Sequence, residues 1–259
     1  MNVVIIGSGN VATVFAKLIY SSSHSIIQVL SRNENHAKEL ASLYNSSWGT
    51  FKSTPYASAD LYILAISDNS LAHLELYPSL GKKLVVHTAG SVSMDVLKEI
   101  SENYGVIYPL QSLTKNTEVI NDFPIMINGN SKENLEFITN FAKTLSSQVS
   151  FASDAERLKY HIAAVIVNNF TNHLYTIAEN FCEIEHIDFH KLYPIINETT
   201  RRILKASPKE VQTGPALRED IYTMGKHLKI LTPHIDIKYL YLKLSESILK
   251  FHQKDTLTN

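Results

Sequence analysis

The stretch from Asn2 to Ile19, NVVIIGSGNVATVFAKLI, restricts the possible folds more than any other. Val3–Ile6 lead without a break into Gly7-Ser8-Gly9-Asn10-Val11-Ala12, and an apolar helical repeat follows. So short and apolar a run reads as a strand buried on both faces, which belongs in a parallel sheet covered by helices. Gly-x-Gly-x-x-Ala between such a strand and an amphipathic helix matches the G-x-G-x-x-G/A pattern of a dinucleotide-binding turn. Gly7 would turn the chain out of the strand, and Gly9 would let backbone approach a pyrophosphate. Ala12 would keep the helix close to the sheet, with its first amides facing the anion. The alternative is a tight strand-to-helix turn built from small residues.

Strand and helix signals alternate through the next 130 residues. IIQVLS, WGTFKS, DLYILAIS, KLVVHTA, YGVIYPL, FPIMING and QVSFAS read as strands. NENHAKELASLY, SMDVLKEIS and SKENLEFITNFAKTLS read as helices between them. That order predicts an α/β, doubly wound, mostly parallel sheet of the Rossmann type. After residue 152 the texture changes. Residues 153–184 are helical in period without Pro or Gly, and Ser153 with Glu156 gives a capping box at their start. FHKLYPIINETTRRILKA, PALREDIYTMGKHLKIL and PHIDIKYLYLKLSESILKFHQ continue as helices. The expected organisation is a nucleotide-binding domain at 1–152 and an all-helical domain at 153–259.

Charge narrows the partners. Twenty-four Lys and Arg balance 25 Asp and Glu, so no basic field draws in nucleic acid or an anionic membrane surface. No segment approaches the ~20 apolar residues of a membrane span. The single cysteine, Cys182, excludes an intramolecular disulfide and fits a reducing compartment. A cytoplasmic chain acting on small molecules is expected.

The end of the second strand discriminates between nicotinamide cofactors. An acidic residue there would accept from a ribose 2′-hydroxyl and repel a 2′-phosphate. This sequence has Ser31-Arg32-Asn33, three donors, and Arg suits a phosphate. NADP is therefore favoured over NAD, with Glu34 the residue that a one-position slip would bring to the ribose. Two further strand ends meet the same crevice: Ala65, Ile66, Ser67 and Asp68, and then Thr88, Ala89 and Gly90. They are small enough for a flat ring to lie on backbone, and equally ordinary as loop residues.

In the helical half, His161, Asn168 and Asn172 fall within about 20° of one direction at 100° per residue. Polar groups in line on an apolar helix need partners, either neighbouring helices or a substrate. Gly214-Pro215 resembles a helix start, where Arg218 would assist an anion and Asp220 would orient the Arg or move a proton. A plain interhelical turn is the alternative.

GSGNVA, DLYILAISDNSL, VVHTAGS, YPLQS, YHIAAVIVNNF and TGPALRED follow one another in this order. The series closely resembles a family of two-domain Rossmann proteins named as putative NADP oxidoreductases, whose second domain is a domain of unknown function. That family resembles the 6-phosphogluconate-dehydrogenase-like group, with pyrroline-5-carboxylate reductase and deazaflavin:NADP oxidoreductases as relatives. The resemblance implies a nicotinamide site at Gly7–Ala12 and Ser31-Arg32. It also implies a substrate cleft lined by Thr88–Ser91, Tyr108–Gln111, His161, Asn168 and the Thr213-Gly214 to Asp220 segment. It further implies a homodimer through the helical domain. Members commonly carry His where this chain has Tyr108. Hydroxyacid dehydrogenases of the wider group place a Lys four residues before an Asn on this helix, where Ala164 and Val165 stand here. His161 is then the titratable candidate, with Asn168 and Arg218 holding substrate. The expected activity is NADP-dependent hydride transfer to a small carbonyl, an imine or a deazaflavin. The alternative is a non-catalytic NADP-binding sensor or scaffold.

Overall fold

β1 (Asn2–Ile6) is apolar on both faces because it lies mid-sheet, in parallel register with β2 (Ser25–Ser31) on one side and β4 (Leu61–Leu64) on the other. In the computed structural model, which describes residues 1–116 and 122–253, eight strands form one sheet. The remaining strands are β3 (Ser47–Thr50), β5 (Gly81–His87), β6 (Ser101–Pro109), β7 (Ile125–Gly129) and β8 (Val149–Phe151). Their order is β3-β2-β1-β4-β5-β6-β7-β8, parallel except for the β6–β7 pair. The first six strands thus have the order of a dinucleotide-binding sheet, which reverses direction of winding between β1 and β4.

Helices cover both faces. α1 (Asn10–Ser21) buries Ala12, Phe15, Ala16 and Ile19, the i, i+3, i+4, i+7 stripe that a packed helix needs. α2 (Glu34–Ser42) and α4 (Lys132–Leu145) pack on the same side, meeting Val3, Ile5 and Val29 of the sheet. The opposite side is closed by Leu71, of the one-turn helix α3 (Asp68–Leu71), and by Leu74 and Leu97 on two 3₁₀ segments. The segment expected as an α-helix at 93–101 is one of these, a 3₁₀ helix over Met94–Glu99. Each fully buried Phe15 or Leu64 contributes roughly 1.5–3 kcal/mol.

α5 (Asp154–Ala164) opens on the expected capping box, with both the Ser153 and the Glu156 bonds formed. It runs into a π-helical turn over Val165–Phe170 and then into α6 (Thr171–Ile184). The compact units divide at Phe170/Thr171, whereas the change from strand to helix falls at 152/153 as read from the sequence. The difference has a physical cause: α5 is anchored to the sheet unit through buried Arg157 and the Asp154–Met94 amide bond of 3.1 Å.

The second unit, Thr171–Asn259, comprises α6, α7 (Tyr193–Ile203), α8 (Ile221–Ile230) and α9 (Ile235–Gln253). Residues 254–259 of the expected helical domain lie outside the described residues. Among the described residues its buried apolar side chains are Cys182, Ala216 and Leu231, while Leu204, Ile221, Tyr222, Ile235 and Phe251 are exposed. The Gly214-Pro215 segment does not open a helix. Residues 215–219 are turns, Glu219 takes φ +53°, and α8 starts only after Asp220.

Candidate functional site

Gly7 and Gly9 do different jobs. Gly7 has φ +131°, and a Cβ there would stand 2.1 Å from the Ala65 carbonyl oxygen, so the fold itself demands glycine. Gly9 is exposed, caps α1 at φ −82° and ψ −170°, and a Cβ on it would meet nothing within 4 Å. Any residue can adopt that backbone, so among the described residues nothing requires glycine at 9. α1 has no side-chain N-cap and no acidic residue in its first turn, which leaves its leading amides open to an anion. Asn10 instead turns its Oδ1 to the Lys115 amide at 3.1 Å, tying the loop after β6 to the start of α1. Val11 is half-buried beside Ala12.

At the end of β2, the three expected donors part company. Ser31 is buried and shares a 2.6 Å hydrogen bond with Ser8, stitching the glycine loop to the neighbouring strand. The Asn33 side chain accepts from the amides of Asn35 and His36 as the N-cap of α2. Both side chains thus already hold a bond within the loop, while Arg32 and Asn33 are exposed and the Asn33 NH₂ end remains a donor. The Arg32 guanidinium lies near enough to Tyr77 to pull that phenol back down against the upward push of burial. Glu34 lies in the first turn of α2.

The ends of β4 and β5 close the crevice. Ala65 packs against Gly7, Ile66 follows half-buried, and Ser67 caps α3 by accepting from the Ser70 amide. Asp68 accepts a short hydrogen bond from Ser91, joining the loop after β4 to the loop after β5. Thr88, Ala89 and Gly90 are buried. A Cβ at Gly90 would come within 2.8 Å of His161 Nδ1 and of Tyr108 Cε2 and Cζ. Backbone thus lies directly against these two rings.

Tyr108, at the end of β6, and His161, on α5, are hydrogen-bonded at 3.1 Å between the phenol oxygen and Nδ1. They form one wall of a pocket of about 390 Å³ lined also by Gln111, Tyr160, Ala164, Val167, Asn168 and Asn169. Among the described residues the lining carries neither ammonium, guanidinium nor carboxylate, only neutral polar groups and the imidazole. Gln111 accepts from the Ser112 amide at 2.9 Å, which leaves its NH₂ end to donate. Burial pushes the Tyr108 phenol up; the Arg157 guanidinium lowers it and the Asp68 carboxylate adds to the rise. The pocket abuts the β5 and β6 carboxyl ends, where ligands of open α/β sheets collect.

Asn172 does not join the pocket. The i→i+5 turn over Val165–Phe170 carries more residues per turn than an α-helix, so the face of the helix slips, and Asn169 joins Asn168 in the lining. Asn172 is exposed in the second unit, where its carbonyl accepts from Thr176. In that same unit Thr213 and Arg218 are exposed, and Gly214 takes φ +115°. Asp220 accepts from the Thr223 amide and hydroxyl, which with Arg218 nearby holds its carboxyl below the usual range. Asp220 thus serves as the N-cap of α8.

Two residues escaped sequence reasoning. His87, fully buried at the end of β5, accepts from the Ala89 amide at 3.1 Å. Its pKa is pushed down to about 4, chiefly by burial and then by Arg157, against the opposing pull of the Ser93 carbonyl and two carboxylates. Arg157 is 1% exposed. Its capping-box context advertised a helix start, and only a charged residue on the inward face of α5 hinted at more.

The protein matches two family models: "NADP oxidoreductase coenzyme F420-dependent" over residues 2–91, and a domain of unknown function, DUF2520, over residues 123–248. It is 38% identical to a putative NADP oxidoreductase from Bacteroides fragilis, with a TM-score of 0.87, covering 96% of this chain and 98% of that one. The chain belongs to this two-domain family. His161 lies within the second matched stretch, and Tyr108 lies in the segment between the two. A reductive aminase from Aspergillus terreus, in complex with NADPH and ethyl-5-oxohexanoate, is 15% identical with a TM-score of 0.69 over 98% of this chain and 94% of that one. A 1-pyrroline-5-carboxylate reductase from Streptococcus pyogenes is 15% identical, with a TM-score of 0.62 over 96% and 98%. At that identity the last two show a shared fold. No curated protein matches the sequence.

Proposed function

We propose that the protein binds NADP(H) at the carboxyl ends of β1 and β2 and reduces an uncharged carbonyl or imine compound in the pocket beside Gly90. The observation that carries the reading is Gly9: a glycine with ordinary backbone and open space around it, at the uncapped N-terminus of α1. A ligand explains that glycine; the fold does not. The pyrophosphate would be held by backbone at Gly7–Gly9 and by the first amides of α1. Arg32 would hold the 2′-phosphate, as a guanidinium does with two parallel N–H bonds.

Bound NADPH supplies the hydride. Tyr108 and His161 hold the proton: the phenol and the imidazole share one across their 3.1 Å bond and deliver it to the oxygen or nitrogen that gains charge during reduction. Asn168 and the Gln111 NH₂ orient that polar end, while Ala164 and Val167 shield it from water. The neutral lining favours an uncharged acceptor over a free carboxylate. The expected roles of Arg218, Thr213 and Gly214 have no place in this reading.

The names of the similar proteins support it. The reductive aminase structure holds NADPH and a keto ester, and the family description reads "NADP oxidoreductase coenzyme F420-dependent", which keeps a deazaflavin among the acceptors to try. The exposed apolar side chains of the second unit support a homodimer through that unit, because so few of its own apolar groups are buried. The test is NADPH oxidation at 340 nm over panels of neutral ketones, cyclic imines, keto acids and a deazaflavin. The reading expects turnover with a neutral carbonyl or imine and its loss in Tyr108→Phe combined with His161→Gln. Tight NADPH binding with no turnover in any panel would favour a cofactor-sensing protein.

A further inference from the structure

Arg157 is the largest fully buried side chain among the described residues, and its surroundings are poorly matched to a cation. Nη2 donates a short hydrogen bond to the Val92 carbonyl. Nη1 stands 2.9 Å from Asp154 Oδ1 in an ion pair, and Nε has no acceptor among the described residues. A guanidinium taken out of water this far destabilises the fold unless it is fully paired. An apolar side chain of similar size would anchor α5 to the sheet more cheaply.

What Arg157 holds is the back of the active-site loop. Val92 and Ser93 end the segment whose Gly90 lies against Tyr108 and His161. Asp154 braces the same segment from the next turn of α5, accepting from the Met94 amide. Burial raises the Asp154 carboxyl, but the Ser93 hydroxyl, Arg157 and that amide outweigh it and keep it ionised. His87, at the start of the same loop, stays neutral and accepts from Ala89. The 88–93 loop is therefore clamped between a buried charge and the pocket wall.

We propose that Arg157 is a positioning residue for the Tyr108–His161 pair: by holding the Val92 carbonyl it sets Gly90 against both rings. The catalytic value of this arrangement rests on the proton-delivery reading given above; the positioning does not. Arg157 and Asp68 are the charged groups that act on Tyr108, with opposite sign, and His161 is bonded to its oxygen. A cation near a phenol favours the charge that appears as the proton leaves.

The test uses the full chain without cofactor, so it stands apart from the NADP reading. Tyrosine labelled with ¹³C at Cζ is titrated by NMR in wild type and Arg157→Met, with Tyr108→Phe assigning the resonance. Loss of the guanidinium predicts an upward shift of Tyr108 ionisation. Hydrogen exchange is followed in Arg157→Lys, which keeps the charge and the folded state but not the forked grip on Val92. Amides of residues 88–93 should exchange about tenfold faster while β1 and β4 keep their protection. A lowered melting temperature with unchanged Tyr108 titration, or unchanged exchange of the loop in Arg157→Lys, overturns the proposal and leaves Arg157 as a core residue. Should Arg157→Met not fold, the exchange measurement decides alone.

Discussion

His87 makes stability depend on pH in a window where little else does. Its folded pKa is depressed to about 4 from 6.5, because burial and the Arg157 charge both oppose protonation. A depressed histidine binds its proton more readily when unfolded, so stability is full above the unfolded value and falls as pH drops from 6.5 towards 4. Integrating the proton uptake gives a loss of about 2 kcal/mol between pH 7 and pH 5, and about 3 kcal/mol by pH 4. The depressed carboxylates, such as Asp154 and Glu198, act with the same sign but only below their unfolded values of 3.8 and 4.5. His24, also lowered by burial and the N-terminal amine, shares the histidine window. The difference between wild type and a variant isolates His87. His87→Asn is suited to this, since an Asn oxygen can accept from the amide two residues on without titrating. Urea unfolding of both proteins at pH 5, 6 and 7 is the assay. Wild type should lose about 2 kcal/mol more than the variant over that range. Parallel pH profiles would refute the buried, neutral assignment of His87.

Three further outcomes follow from the site. Gly7→Ala, with its Cβ driven onto the Ala65 carbonyl, should destabilise by more than about 2 kcal/mol in thermal unfolding. Gly90→Ala pushes Tyr108 and His161 apart; turnover should fall at least about tenfold while NADPH affinity is less affected, read as a drop in kcat. Arg32→Ser should weaken NADPH relative to NADH by about 10- to 100-fold in calorimetry, the loss of a charge-assisted contact. Light scattering should give twice the chain mass of 29.1 kDa, and a monomer with its exposed Ile221 and Tyr222 in water would contradict the dimer.

The sheet was legible because its signals are local. Val3–Ile6 and Leu61–Leu64 are buried on both faces, so their apolar runs are continuous, and each glycine loop or capping residue marks its own strand end. The antiparallel turn of β7 and the pairing of β8 carry no such local mark. In the candidate site, Tyr108, His161 and Asn168, expected from the family resemblance to share one cleft, line one pocket. What the sequence concealed was geometry between elements. The bonds of Ser31 to Ser8 and of the Asn33 oxygen to the α2 amides are not written in the sequence. The helical wheel placed Asn172 beside His161 because a π turn leaves no trace in apolar periodicity. Arg157 hides for a different reason: a buried arginine is defined by the loop it supports, 65 residues earlier at Val92.

The central claim is that the loop at Gly7–Ala12 is a dinucleotide cradle and not merely a turn, and Gly9→Ala tests it most directly. The structure allows that Cβ at ordinary φ and ψ with no neighbour within 4 Å, so the melting temperature of the free protein should stay close to wild type. NADPH affinity by titration calorimetry should nevertheless fall by about 10- to 100-fold, as a methyl group placed against a pyrophosphate requires. Unchanged NADPH affinity in a stable Gly9→Ala protein would contradict the account.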